Sequence, residues 1–213
     1  MAGGYFRLGT VRRVPIRVHW SAALGALLFG RLQFAPGVWA GFFLLILLHE
    51  LGHAAVVWRF RKQVVGIDLS GMGGLCHWTG EVTAVQRAVI AWGGVAVQGL
   101  VLAGAIVFGL VVGPAQGRFA NDFADALTTS NAMIIGFNLI PVPPLDGARA
   151  WLLLPLLWRR HLARRKRRTA RRILETYDEV APLPQGADGE VQLAPALEEE
   201  LQRISKRSRQ RRP

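Results

Sequence analysis

The chain alternates between long apolar segments and shorter stretches of charged or turn-forming residues. The apolar segments long enough to be considered membrane-crossing helices are residues 18–36, 37–58, 88–112 and 127–142. A helix crosses the hydrocarbon core of a bilayer with about 20 predominantly apolar residues. The pattern therefore predicts an all-α membrane protein with about four transmembrane helices.

Two stretches between and after these segments have a different pattern. Residues 63–84 contain short apolar runs separated by Ser-Gly and Gly-Gly, which predicts a small β-hairpin-like membrane loop. Residues 151–158, WLLLPLLW, are apolar but too short to span a bilayer. They are interpreted as an interfacial or re-entrant segment, with a fifth crossing as the alternative.

Basic residues are concentrated near both ends of the apolar part of the chain. The net charge is +12, although 51% of the residues are hydrophobic and the mean hydropathy is +0.27. Residues 158–172 contain nine Lys or Arg residues and no acid. Such a run is typical of a nucleic-acid patch, a solvated tail or a cytoplasmic membrane flank, and its position beside apolar segments favours the flank.

The basic residues also predict the orientation in the membrane. With four crossings, the N-terminal arginines, the Arg59/Arg61/Lys62 cluster and the basic tail all lie on one side, which the positive-inside rule assigns to the cytoplasm. The expected organisation is a basic cytoplasmic N-terminus (1–17), a membrane core (18–158) and a basic cytoplasmic tail (159–213). We expect a multi-pass integral protein of a bacterial cytoplasmic membrane with both termini in the cytoplasm.

The second apolar segment contains the sequence His49-Glu50-Leu51-Gly52-His53. Residues four apart lie on one face of a helix, so both imidazoles can reach one metal ion, and the glutamate can act as a general base. Ionisable residues inside a membrane segment are costly and mark functional sites. The alternative is a pair of histidines that only form hydrogen bonds within a helix bundle.

A catalytic zinc site needs a third protein ligand, and Asp146 is the candidate. At about 1.5 Å per residue, His53 and His49 lie about 9 and 15 Å inside the boundary at Arg59. The fourth segment ends on that same side in IPVPPLDG, where the prolines break the helix beside a polar cavity. The alternative is an ordinary turn in which Asp146 caps the next helix.

The two motifs together, HELGH at 49–53 and NLIPVPPLDG at 138–147, resemble the site-2 protease family of intramembrane zinc metalloproteases. The resemblance extends over residues 5–158 and implies one zinc ion held by His49, His53 and Asp146, with Glu50 activating water. By the same resemblance, Asn138 would help to bind the substrate backbone or the transition state.

The third segment departs from the family. Members often have a glycine-proline and asparagine pattern there, whereas this chain reads AWGGVAVQ at residues 91–98. Gln98 is the candidate for supplying the same amide donor to the substrate. The sequence also lacks an inserted PDZ domain, which predicts a compact member of the family.

The resemblance implies a membrane-spanning protein substrate, and the basic tail favours anionic lipid headgroups over nucleic acid as a further partner. The oligomeric state stays open. Two alternatives to a protease remain at this point: a metal-binding or metal-transport membrane protein, and an inactive protease-like scaffold.

Overall fold

The computed structural model describes residues 3–180, with side chains as far as residue 175. The chain divides into two units between Trp158 and Arg159. The helices are α1 (Ser21–Phe29), α2 (Pro36–Arg59), α3 (Ala84–Val112), α4 (Arg118–Asp125), α5 (Asn131–Asn138), α6 (Gly147–Ala150) and α7 (Leu153–Val180). The strands are β1 (Tyr5–Val11), β2 (Val14–His19), β3 (Gln63–Ser70) and β4 (Gly73–Thr79). The protein is mostly helical with one small sheet.

The sheet has the order β1-β2-β3-β4, with β2 and β3 parallel and the outer pairs antiparallel. The hairpin predicted over 63–84 is therefore half of a larger sheet, and the N-terminal arginines belong to its other half. The sequence pattern predicted a charged flank in place of β1 and β2, because their turn is formed by Arg12 and Arg13 and not by typical turn residues. Both have positive φ angles, of 48° and 68°, which turns usually assign to Gly or Asn.

The first apolar segment does not form the transmembrane helix predicted over 18–36. Strand β2 continues to His19, and α1 contains only nine residues. At about 1.5 Å per residue, α1 is about 13 Å long, which is less than half of the hydrocarbon core. It ends at Gly30, and the next two residues, Arg31 and Leu32, have positive φ angles of 55° and 63°.

Within residues 3–180, two helices are long and apolar enough to cross a membrane, α2 and α3. In the most apolar window of α2, 56% of the residues are buried inside the protein, whereas in that of α3 only 11% are. The exposed large side chains of α3 lie in its second half and include Leu100, Val107, Phe108 and Leu110. An exposed apolar surface of this extent is typical of a helix that contacts a membrane or another apolar partner.

Helices α2 and α3 cross where glycines allow their backbones to touch. A Cβ atom on Gly52 would meet the carbonyl oxygen of Gly93 in the facing helix. The fourth segment, predicted over 127–142, is a continuous helical run from Arg118 to Asn138 with a π-helical turn at Ala126–Ser130. A Cβ atom on Gly41 of α2 would meet Ala126 in that turn. Helix α2 is therefore the central element, and α3, α4 and β4 all pack on it.

Candidate active site

The two histidines and the glutamate of the HELGH motif lie in the middle of α2 and are buried. His49 and His53 are each 8% exposed and Glu50 is 3% exposed. One helical turn separates the imidazoles, whose Nε2 atoms are 3.0 Å apart. The predicted juxtaposition follows from helix geometry alone, since residues i and i+4 share a face.

Asp146 reaches this pair from the loop between α5 and α6. Its Oδ2 atom lies 2.9 Å from His49 Nε2 and 3.1 Å from His53 Nε2. Asp146 precedes α6, but its side chain makes no capping hydrogen bond there. The helix-cap interpretation is therefore wrong, and the carboxylate faces the histidines.

The loop that carries Asp146 is fixed by two tryptophans and a glycine. Trp151 Nε1 donates to the Leu139 carbonyl oxygen at 2.7 Å, and Trp92 Nε1 of α3 donates to the Ala150 carbonyl oxygen at 2.9 Å. A Cβ atom on Gly147 would collide with the carbonyl oxygens of Leu139 and Ile140, so only glycine lets the loop fold back on itself. These contacts hold the carboxylate at the depth of the two imidazoles.

The three facing atoms form a donor set for a metal ion. His49 Nδ1 lies 3.0 Å from Gln98 Oε1, and His53 Nδ1 lies 2.7 Å from the Ile90 carbonyl oxygen. Since both partners are oxygens that only accept, each Nδ1 carries a hydrogen, and in the neutral imidazole this leaves a lone pair on Nε2. Two imidazole nitrogens and a carboxylate oxygen at these distances form a set that a cation can bind.

A tetrahedral zinc site with bonds of about 2.0–2.1 Å separates its ligand atoms by about 3.3 Å, close to the distances found here. Glu50 lies in the same group, since single ligand atoms of His49, Glu50 and His53 all lie within 4.8 Å of one another. The donor set fits zinc, with Glu50 next to it.

Strand β4 covers Glu50 and forms one wall of a cavity of about 630 Å³. A Cβ atom on Gly74 would collide with the Glu50 side chain, so the strand approaches this closely only because residue 74 is glycine. The remaining walls are mainly apolar and include Phe42, Met72 and Phe137. The polar cluster therefore lies at one side of an apolar cavity large enough for several side chains.

The neighbouring Cys76 and His77 do not join the metal donors. Cys76 lines the cavity, but the group of close ligand atoms found among the described residues consists of His49, Glu50 and His53. The Nε2 atom of His77 lies 2.9 Å from Asp68 Oδ2 in the sheet. Cys76 is thus part of the cavity wall, and His77 contacts a carboxylate of the sheet.

The two amide residues proposed for substrate binding occupy different positions. Asn138 borders the cavity at the C-terminal end of α5. Gln98 also lines the cavity, but it is completely buried and its amide oxygen faces His49. Sequence reasoning missed Asn131, which is also completely buried and whose Nδ2 donates to the backbone oxygen of Gln98 at 2.9 Å. An asparagine within an apolar segment was the available signal.

No protein-family model matches the chain. Over 177 residues it is 33% identical to a Mycobacterium tuberculosis protein named "Putative zinc metalloprotease Rip3", found in the H37Rv and Erdman strains. The alignment covers 72% of this chain and 44% of Rip3, so the chain spans less than half of the length of this relative.

The fold is similar to that of the site-2 protease from Methanocaldococcus jannaschii. The TM-score is 0.54 at 24% sequence identity, and the match covers 69% of each chain. This likeness concerns the fold, whereas the similarity to Rip3 concerns the sequence. The chain is thus similar in sequence to a putative zinc metalloprotease and similar in fold to a site-2 protease, and it carries the paired HELGH and LDG motifs.

Proposed function

We propose that the chain is an intramembrane zinc metalloprotease, which hydrolyses a peptide bond within or near the transmembrane helix of a membrane protein. The observation that carries this proposal is the donor set on α2. The His49 and His53 Nε2 atoms and Asp146 Oδ2 lie within 3.1 Å of one another. The Nδ1 atom of each imidazole lies within hydrogen-bond distance of a protein oxygen. A buried glutamate stands beside them in an apolar helix.

The proposed ligands are His49, His53 and Asp146. A bound zinc ion supplies Lewis acidity, which polarises a carbonyl and makes water acidic enough to lose a proton near neutral pH. Glu50 takes the proton from the attacking water and later delivers it to the leaving amine nitrogen. Asn138 lines the cavity, and its proposed role is to donate an amide hydrogen to the substrate backbone.

Strand β4 is the proposed docking element for the substrate. It is an edge strand of the sheet, and its residues 73–76 line the cavity beside Glu50. A helical substrate hides its carbonyl groups in hydrogen bonds and must unwind before it can be cut. An unwound segment can pair with β4 as an added strand, which supplies affinity through main-chain hydrogen bonds.

We also propose that the chain crosses the membrane four times, with both termini in the cytoplasm. Helices α2 and α3 account for two crossings and the run from α4 to α5 for a third. The first is assigned to α1, which at about 13 Å covers part of the hydrocarbon core.

The first experiment compares purified wild type with Glu50→Gln for bound metal and for cleavage of a panel of transmembrane helices. We expect both proteins to bind about one zinc ion, because Glu50 is not among the three proposed ligands. Only the wild type should cut, and loss of the base should lower the rate by at least about 100-fold. The control is Glu81→Gln, which changes an exposed glutamate.

Three results would contradict the proposal in different ways. Absence of zinc from the wild type would remove the metal site. Cleavage by Glu50→Gln at the wild-type rate would remove Glu50 as the base. Zinc in both proteins without cleavage of any helix would favour the metal-binding or scaffold alternatives.

A further inference from the structure

Behind His49, on the side away from the proposed metal ligands, lies a buried pair of amides. Gln98 of α3 and Asn131 of α5 are both completely buried. The Gln98 Oε1 atom lies 3.0 Å from His49 Nδ1, and Asn131 Nδ2 donates to the Gln98 backbone oxygen at 2.9 Å. The contacts form a continuous polar chain from α2 through α3 to α5.

The direction of the Gln98 amide decides which nitrogen of His49 carries the hydrogen. With the oxygen facing Nδ1, the hydrogen is on Nδ1 and the lone pair of Nε2 faces His53 and Asp146. With the amide nitrogen facing Nδ1, the hydrogen would move to Nε2, which could then not bind a metal. A partner on the far nitrogen of a ligating histidine also fixes the plane of the ring.

We propose that Gln98 is a positioning residue, which holds His49 in the tautomer and orientation that bind metal through Nε2, while Asn131 holds the backbone of α3 at this point. This role uses the amide oxygen of Gln98, whereas the substrate-facing donor expected from the sequence would use its Nε2 atom, and that expectation stays untested. The inference rests on the proposed metal site but not on protease activity.

Gln98 and Asn131 each bury a polar atom that has no partner in the described part of the chain, which does not stabilise the fold. Gln98 Nε2 and Asn131 Oδ1 are buried and have no hydrogen-bond partner among the described residues. An unpaired buried polar atom destabilises a fold, so an apolar side chain of the same size would suit the packing better. The contact that the Gln98 amide does make is that of its oxygen with His49.

The second histidine provides an internal contrast. His53 Nδ1 faces the backbone oxygen of Ile90 at 2.7 Å, which every residue type at position 90 would supply. Only His49 depends on a side chain for this contact. Of the two contacts at Nδ1, only the one made by Gln98 can therefore be removed by a substitution.

The test uses the full chain, stripped of metal, as wild type, Gln98→Met and Gln98→Glu. Methionine has a similar size but no oxygen, whereas glutamate keeps the oxygen in place. Zinc affinity is measured by competition with a chelator, and Co²⁺ serves as a spectroscopic probe of the ligand geometry. We expect Gln98→Met to weaken zinc binding by about 10–100-fold and to change the Co²⁺ spectrum. Gln98→Glu should stay within about threefold of the wild type, because it retains the acceptor.

The melting temperature of the metal-free proteins separates positioning from packing. We expect Gln98→Met to melt close to the wild-type temperature, since it removes the unpaired Nε2 atom but also leaves the Nδ1–H group of His49 without an acceptor. Wild-type zinc affinity in Gln98→Met, or an equal loss in Gln98→Glu, would overturn the inference while leaving the proposed function intact. A wild type that binds no zinc would overturn both.

Discussion

At the residue scale, glycines set how closely the site can be packed. The position of Gly94 in α3 is such that a Cβ atom would lie 2.5 Å from Cε1 and 2.6 Å from Nε2 of His49. Real side chains do not approach an imidazole this closely, so the ring or the helix would have to move. The absence of a side chain at residue 94 is therefore part of the geometry that aims His49 at Asp146.

This packing predicts that Gly94→Ala weakens zinc binding by at least about tenfold, because a displaced ring can no longer aim its lone pair. The measurement is zinc affinity of the full chain by chelator competition. Gly99→Ala is the matched control, since it lies on the same helix with nothing within 4 Å of its Cβ position. It should leave zinc binding unchanged and should stabilise the helix by about 0.5–1 kcal/mol. Equal zinc affinities of the two variants would refute the steric argument.

At the element scale, a buried carboxylate ties three strands of the sheet together. Asp68 of β3 accepts from Arg17 of β2 at 2.6 and 2.9 Å, and His77 of β4 lies 2.9 Å away. Asp68 is 9% exposed, whereas the Arg17 side chain is 44% exposed, so solvent weakens the ion pair. The position of β4, and with it the cavity wall, depends on this contact.

We therefore expect Asp68→Asn to lower the free energy of unfolding by about 1–2 kcal/mol, because the amide replaces a charged acceptor and keeps only one oxygen. If β4 docks the substrate, the variant should also raise KM more than it lowers kcat. Thermal unfolding in detergent and cleavage kinetics would measure both effects. Asp122→Asn is the control, since its carboxylate lies 4.0 Å from Arg118 on one helix. A variant with wild-type stability and KM would show that Asp68 does not hold the edge strand.

The elements show what the apolar pattern can and cannot predict. Helices α2 and α3 were predicted within a few residues because their apolar runs are long and unbroken. The first two strands were missed because an arginine turn joins them and because β2 finds its parallel partner, β3, about 50 residues later. Pairing over that distance leaves no local trace in the sequence.

The site was more predictable than the sheet. The juxtaposition of His49 and His53 is local to one helix, and Asp146 follows from the depth at which two segments end. The orientation of Gln98 was not predictable in the same way. It depends on the rotation of α3 against α2, which the backbone contact between Gly52 and Gly93 sets. Sequence periodicity fixes which residues share a face but not which partner that face meets.

At the scale of the whole molecule, charge and hydropathy are separated along the chain. The exposed apolar half of α3 belongs to the first unit, whereas the described side chains of the second unit are dominated by arginines on α7. All side chains from residue 159 to residue 172 are exposed. A basic helix that follows a membrane core carries the charge that anionic headgroups attract.

We propose that this basic segment binds anionic lipid, at about 1 kcal/mol per Lys or Arg near the surface. In nanodiscs that contain phosphatidylglycerol, we expect trypsin to cut the segment at 159–172 at least about tenfold more slowly than in nanodiscs of phosphatidylcholine alone. Salt should abolish the difference, because the screening length falls from about 10 Å at 0.1 M to about 3 Å at 1 M. Comparing the two lipids at each salt concentration controls for the effect of salt on trypsin. Equal cleavage rates in both lipids at low salt would refute lipid binding, and protection by RNA alone would favour a nucleic-acid partner.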